Sequence, residues 1–262
     1  MRSHEDRSIK NAEHKDKDQM SKGKVYVVGL GPGDREMMTA QAKRAIENSD
    51  IIVGYKVYTD LVRDMCDGKI VIESGMRQET DRCRKCIEFA KTGHSVVLIC
   101  SGDAGVYGMA SPLLEIAEEA GFDDIEIVPG VTAALSGAAL LGAPIGHDFC
   151  VISLSDLLTP WEPIEKRLRL AAEADLCIVI YNPSSHKRAD HLKKACEVMS
   201  TIIPADRPCG YVRNIGRDNT KVKVCTFAEL TDEQVDMFTT VFIGNSQTRI
   251  SKNRLITPRG YR

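Results

Sequence analysis

The amino-acid sequence predicts a two-domain α/β protein, with a mainly parallel sheet in its first half and a mixed sheet in its second. Three observations predict this. Apolar runs and helical stretches alternate five times across residues 24–141, the pattern of a parallel sheet covered by crossover helices. Two runs, SVVLIC at 95–100 and LCIVIY at 176–181, are apolar at almost every position, as strands are when both faces are covered. Beyond residue 208 the apolar runs are short and closely spaced, which leaves little room for crossovers and favours antiparallel pairing.

The first ordered segment is 24–29 (KVYVVG), a β-branched run that stops at glycines. A helical stretch at 35–48, an apolar strand at 50–53, a second helical stretch at 57–65 and a third strand at 69–73 follow. Residues 78–91 form a helix closed by Gly93, on which Cys83, Cys86, Ile87 and Ala90 recur at helical spacing. That stripe reads the CxxC pair as a buried helix face: a second CxxC is absent, and free cysteine behaves as a small hydrophobe. The strand 95–100, a helix at 109–120 stopped by Gly121, a strand at 125–128 and a small-residue helix at 131–141 complete this half. The GAPIG run at 142–146 breaks the pattern. The expected domains are therefore residues 23–143 and 147–262, after a mobile tail of residues 1–22. The second domain opens with a strand at 149–154, a helix at 163–174, the strand 176–181 and a helix at 186–200. Antiparallel strands are expected at 209–212, 221–226, 239–243 and 254–256.

With 262 residues, 43% hydrophobic and 27% charged, the chain has the composition of a globular protein and not of a disordered one. A formal net charge of -2 supplies no general basic field for nucleic acid or an anionic membrane. No run of 18 apolar residues is present, so no membrane span is expected. The tail is dense in charge and lacks an apolar core, so it is not read as a secretory signal; a metal or partner role for its His4 and His14 is disfavoured. Nine cysteines, an odd number scattered through apolar segments, suit a reducing, cytoplasmic compartment better than a disulfide framework.

Four strand ends carry unusual chemistry, and in open parallel sheets ligands sit beyond the carboxyl ends of strands. The first is GLGPGD at 29–34. A dinucleotide fingerprint would need glycine at 34, where Asp34 stands, and an acidic residue closing the second strand, where the chain reads IVGYK at 52–56. What remains is a glycine-rich turn that lets another molecule approach the backbone, or simply a tight strand-to-helix turn. The second is SGDAGVYGM at 101–109, in which glycines flank Asp103 and Tyr107. A carboxylate there is costly unless paired with donors or a cation, which a sulfonium ligand with an amino group and ribose hydroxyls supplies; the alternative is a helix cap. The third is PGVTAA at 129–134, where Thr132 is either a ligand contact or an N-cap. The fourth is YNPSS at 181–185, where Asn182 precedes a proline and is expected to be extended.

Taken in order, GPGD, GDxGVYG, PGVTA and YNP resemble the tetrapyrrole methylase family, the class III S-adenosylmethionine methyltransferases, over residues 24–258. The resemblance implies two α/β domains with the cofactor held in the cleft between them. The run HDFCVISLSDLLTPW at 147–161 is similar to a segment of the precorrin-3B C-17-methyltransferases, as are VRNIG at 212–216, DMFTTV at 236–241, IGNS at 243–246 and ITPRGY at 256–261. This implies methyl transfer to C-17 of precorrin-3B or its cobalt form, with ring contraction, in cobalamin biosynthesis by a cytoplasmic homodimer. The implied S-adenosylmethionine contacts are Pro32, Ser101, Gly102, Asp103, Val106, Thr132, Ala133, Tyr181, Asn182, Asn214 and Ile215. His147 leads the candidates for the acid or base, followed by Asp103, Asp34 and Asp156. Gly31, Asp34, Arg77, Ser153 and Ser155 are expected to face the macrocycle. Arg77, Lys56, Arg213 and Arg217 are the candidate partners for its carboxylates. The alternatives are another tetrapyrrole C-methyltransferase of the same fold and a non-catalytic corrinoid-binding module; an NAD-dependent oxidoreductase is opposed by Asp34.

Overall fold

The computed structural model describes residues 23–261 apart from 76 and 186. The charged tail, with His4 and His14, lies outside the described residues. The chain divides into two compact units. The first holds the described residues up to Gly31 together with Arg35–Val131; the second holds Pro32–Asp34 and the chain from Thr132 onward. Three residues of the first glycine-rich turn thus belong to a different unit from their chain neighbours.

The sheet of the first unit is built from β1 (Val25–Gly29), β2 (Ile51–Tyr55), β3 (Ile70–Ser74), β4 (Val96–Cys100) and β5 (Ile125–Val128), in the order β3-β2-β4-β1-β5. Every pairing is parallel, so each connection must cross over. The crossovers carry α1 (Ala40–Glu47), the short α2 (Lys56–Thr59), α3 (Glu79–Lys91) and α4 (Ala110–Ala120). Alternate residues of a strand point to opposite faces, and here both faces are covered. Val25, Val27, Val96 and Leu98 pack with Cys83, Cys86 and Ile87 of α3 and Leu113 of α4. Val28, Ile52, Val97 and Ile99 pack on the other side with Ala42 and Ile46 of α1. The cysteine stripe is therefore a core-facing helix surface, as its spacing predicts. The helix expected from residue 35 starts only at Ala40, where the Thr39 side chain accepts the Ala42 N–H, the role of an N-cap. The helix expected at 57–65 breaks after Thr59 into a 3-10 turn interrupted at Val62.

The second unit runs α5 (Ala133–Leu141), β6 (Gly142–Ala143), β7 (Phe149–Ser153), α6 (Trp161–Glu173), β8 (Cys177–Tyr181), α7 (His191–Met199), β9 (Pro208–Arg213), β10 (Lys221–Thr226), α8 (Phe227–Leu230), β11 (Thr239–Ile243), β12 (Arg249–Ser251) and β13 (Arg254–Ile256). Its main sheet has the order β10-β9-β11-β8-β7. Only β7 and β8 are parallel; the other pairings are antiparallel. The sheet is mixed, as the change in spacing after residue 208 predicts. A second small sheet, β12-β13-β6, ties the start of this unit to its end.

The division between units falls at Val131 and Thr132, and not in the 142–146 run. The reason is packing. Ala134, Ala138 and Leu141 of α5 are buried against Val179, Val212 and Phe242 of the second sheet. Gly137 lets this helix lie close: a Cβ there would stand 2.9 Å from the Phe242 ring. Gly142 and Ala143, where the 142–146 run breaks the pattern, pair with Leu255 and Ile256 as a strand. Among the described residues, no helix is long and apolar enough to cross a membrane.

Candidate functional site

In the first unit, three loops leave the carboxyl ends of the adjacent strands β4, β1 and β5, and those after β1 and β4 are joined backbone to backbone. The N–H of Leu30 donates to the Cys100 carbonyl at 2.9 Å. Gly31 and Gly102 exchange reciprocal N–H···O bonds of 3.0 and 2.7 Å, and both have left-handed φ, 80° and 69°. A Cβ at Gly29 would stand 2.6 Å from the Gly102 oxygen, and one at Gly130 only 2.1 Å from it. These glycines were expected to admit another molecule to the backbone. At Gly29, Gly102 and Gly130 the close partner is instead the neighbouring loop.

Asp103 completes this bracing. One carboxylate oxygen accepts the N–H of Gly105 at 2.8 Å and of Val106 at 3.1 Å. The other accepts the Gly130 N–H at 3.0 Å, joining the loop after β4 to the loop after β5. A carboxylate serving three amides is an anchor of the loops around it. Ser101, Gly102, Asp103 and Val106 are all half-buried, so the braced loops still present surface. Beneath them, burial pushes the Cys100 thiol up to about 11, which leaves it without nucleophilic character at neutral pH. Arg77 is exposed, with a left-handed φ of 66°, at the turn after β3. Lys56 is engaged by Asp60 at 3.2 Å and Glu73 at 3.9 Å.

Within the second unit, Pro32–Asp34 lies against the turn after β9. A Cβ at Gly33 would meet the Gly216 oxygen and Arg217 Cγ, each at 2.7 Å, and one at Gly216 would meet the Asp34 nitrogen at 2.7 Å. Arg217 donates from Nε to the Pro32 carbonyl at 3.5 Å and stacks on Phe238 at 5.2 Å. Ile215 is buried next to Gly137 of α5. Pro32, Asp34, Asn214 and Ile215, separated by some 180 residues of chain, are thus brought together. Arg213 is committed to Asp236 at 2.6 Å.

The carboxyl ends of β7 and β8 gather the remaining residues. The Tyr181 hydroxyl accepts the Ala134 N–H at 2.6 Å and is hydrogen-bonded to the Thr132 hydroxyl. It therefore sits at the N-terminus of α5, where helix N–H groups lack intrahelical partners. Thr132 does not cap that helix with its own side chain; Tyr181 supplies the acceptor. Ser153 lies across from Tyr181 in the β7–β8 register, and the Asn182 amide donates to Ser153 Oγ at 2.9 Å. Asn182 is left-handed, φ 52°, and not extended as its place before proline suggested. Asparagine tolerates this conformation better than most residues, and the bond to Ser153 holds it there.

One step further along the loop after β7, Arg188 donates to Ser155 Oγ at 3.0 Å, to Asp156 Oδ1 at 3.2 Å and, from Nε, to Ser185 Oγ at 3.1 Å. His191 Nε2 lies 3.6 Å from the other Asp156 oxygen. Sequence reasoning selected Ser155 and Asp156 but passed over Arg188 and His191. A histidine opening an amphipathic helix reads as a solvated position, and only the fold turns it inward.

His147 lies apart from the Ser153 and Asn182 group. It precedes β7, at the amino end of the β7–β8 pair, whereas Ser153 and Asn182 lie at the carboxyl end. Six residues at ~3.3 Å each separate it from Ser153 by about 20 Å. Its side chain is 55% exposed, and its Nδ1 accepts the N–H of the next residue at 2.9 Å. The structure does not bring it to the other candidates of this unit.

What the two sets share is a chemistry of holding: half-buried hydroxyl, amide and backbone groups at strand ends, together with a carboxylate, Asp156, placed between an arginine and a histidine. Comparison with known proteins gives the family. Residues 24–231 match the family model of the tetrapyrrole (corrin/porphyrin) methylases. A probable cobalt-factor III C(17)-methyltransferase of Salmonella typhimurium is 46% identical over 238 residues, 90% of this chain and 99% of that protein. A precorrin-3B C(17)-methyltransferase from Sinorhizobium sp. is 40% identical over 248 residues, 91% of this chain and 97% of that one. The crystal structure of the methyltransferase CobJ superposes with a TM-score of 0.84 at 38% identity, covering 90% of this chain and all of that one.

Proposed function

The chain belongs to the tetrapyrrole methylase family, and we propose that it transfers the methyl group of S-adenosylmethionine to C-17 of a corrinoid precursor in cobalamin biosynthesis. The observation that carries this is 46% identity along nearly the whole of both chains to a protein named for that reaction. The cobalt-bearing substrate, cobalt-factor III, is favoured over metal-free precorrin-3B, because the relative named for it is the more similar, 46% against 40%.

The residues fit a small, polar, cationic cofactor. The braced frame of Gly31, Gly102, Asp103 and Gly130 fixes the loops, and half-buried side chains and amides are offered beside it. We assign cofactor contacts to Ser101, Gly102, Val106, Thr132, Ala133, Asn182, Asn214, Ile215 and Pro32, with Tyr181 and Asp103 holding them in place. S-adenosylmethionine supplies the electrophilic sulfonium methyl. The chain's part is to orient the acceptor carbon and to keep water away, and such positioning accounts for a large share of the barrier in group transfer. Asp34, Arg77, Ser153 and Ser155 are assigned to the macrocycle, and Asp156 to the proton it gives up. Ring contraction in the same site, a homodimer and a cytoplasmic location complete the proposal.

The test is turnover. Purified protein incubated with methyl-labelled S-adenosylmethionine and cobalt-factor III, or precorrin-3B, is expected to give a macrocycle heavier by one labelled methyl. Tight macrocycle binding without transfer would contradict the enzyme assignment and leave a corrinoid-binding module.

A further inference from the structure

The cluster behind Asp156 contains a group that neither the sequence motifs nor the family assignment uses. His191 is 6% exposed. Its Nδ1 stands 3.0 Å from the Leu154 carbonyl. A carbonyl only accepts, so Nδ1 carries the hydrogen. Nε2 is then the nitrogen that gains and loses the exchangeable proton, and it faces Asp156 Oδ2 at 3.6 Å. That separation is longer than a hydrogen bond and within ion-pair range. The Trp161 ring packs on the imidazole with centroids 5.0 Å apart.

The other charges around the pair are accounted for. Arg188 binds Asp156 Oδ1 and Ser155 on the loop side. On α7 and at its start, Asp190 and Lys194 pair with each other at 2.8 Å, and each also acts through space on the pair, Asp190 on His191 and Lys194 on Asp156. From α6, Glu165 and Arg169 pair at 3.1 Å. With Trp161, Lys194 and Glu197 they line a shallow groove over the outer helix face. Asp156 is the carboxylate within ion-pair distance of Nε2, and at 37% side-chain exposure it is also open to a ligand.

Resting on the reading that this chain methylates a macrocycle carbon, we propose that His191 is the positioning residue behind Asp156 and the terminus of a two-step proton relay. The acceptor carbon forms its new C–C bond with its own electron pair, and the pair of the broken S–C bond stays with the thioether. The macrocycle therefore restores its charge by releasing one proton. Asp156 takes that proton and, as the 3.6 Å gap closes to hydrogen-bond distance, passes it to Nε2, leaving an imidazolium beside a carboxylate that Arg188 holds in place; after the product leaves, the proton returns to solvent through Asp156. The relay needs a neutral imidazole before each turnover, so kcat rises with pH as His191 loses its proton.

Two measurements on the full chain test this. In the first, nitrogen NMR of the imidazole is expected to show the Nδ1–H form at high pH and protonation of Nε2 as pH falls. In Asp156→Asn the Nδ1–H form is expected to persist, because its partner is the Leu154 carbonyl. In the second, kcat with cobalt-factor III is followed against pH. His191→Asn keeps a donor for Leu154 but cannot titrate. It is expected to lose the acid limb of the profile and about tenfold in kcat, with KM within about twofold. An acid limb retained in His191→Asn, or a wild-type imidazole whose hydrogen sits on Nε2 and not on Nδ1, overturns the proposal. Should His191→Asn fail to fold, the wild-type and Asp156→Asn spectra decide alone. A wild-type chain that transfers no methyl group would instead refute the assigned reaction, and the spectra would still decide the His191–Asp156 pair.

Discussion

At the scale of single residues, the site's most informative feature is how little freedom its glycines and its central carboxylate retain. Gly102 has both backbone groups bonded to Gly31, so its oxygen cannot retreat from an intruding methyl group. Gly130→Ala would place that methyl 2.1 Å from the Gly102 oxygen and 2.6 Å from the Gly29 oxygen. We expect a loss of about 1–3 kcal/mol or more, read as a lower urea midpoint at unchanged slope; an unshifted midpoint would mean that the loops are not braced as described. Asp103, Thr132 and Asn182 were visible in the sequence as unusual residues at strand ends. Their bonding was not, because each bond joins segments far apart in the chain. Asp103 to Gly130 spans 27 residues and Thr132 to Tyr181 spans 49. His147 drew attention as a histidine beside a family-specific run, and only strand direction shows that it stands at the far end of β7.

At the scale of elements, α5 and β8 are coupled through apolar packing on Val179 and through the Tyr181 hydroxyl. Tyr181→Phe removes the acceptor of the Ala134 N–H and the partner of Thr132, leaving a helix-end donor unsatisfied. About 1–3 kcal/mol of stability is expected to be lost. The KM for S-adenosylmethionine should rise several-fold, because Thr132 and Ala133 lose their fixed placement; an unchanged KM would remove this helix start from the cofactor's contacts. Strand and helix alternation was legible wherever a period could be counted, and all five strands of the first sheet fall where the pattern places them. The misreadings are local. Strands of two and three residues, β6 and β12, are too short to show a period. The helices expected from 35 and 186 start at Ala40 and His191, since amphipathic spacing continues through turns that lack helical bonding. The division at Val131 and Thr132 precedes the 142–146 run, and a small-residue helix carries no mark of which sheet it will cover.

At the scale of the whole molecule, the nine cysteines are free, and all but Cys150 are buried. Burial pushes Cys83, Cys100, Cys150 and Cys196 up to about 11 and Cys225 up to about 12, against about 8.5 for an unperturbed thiol. The sign follows from linkage. The folded chain keeps protons that the unfolded chain loses, so this contribution is complete below about pH 8.5 and disappears as pH rises toward the folded values. Urea midpoints are expected to hold steady from pH 7 to about 8.5 and then fall, and native protein at neutral pH should resist alkylation by iodoacetamide; rapid labelling of several thiols would contradict the burial described. The account's central claim concerns where one methyl group goes. With [methyl-13C]S-adenosylmethionine and cobalt-factor III, carbon NMR of the product is predicted to show the label bonded to C-17 of the macrocycle. Label on a different ring carbon, or a macrocycle recovered without label, would contradict it.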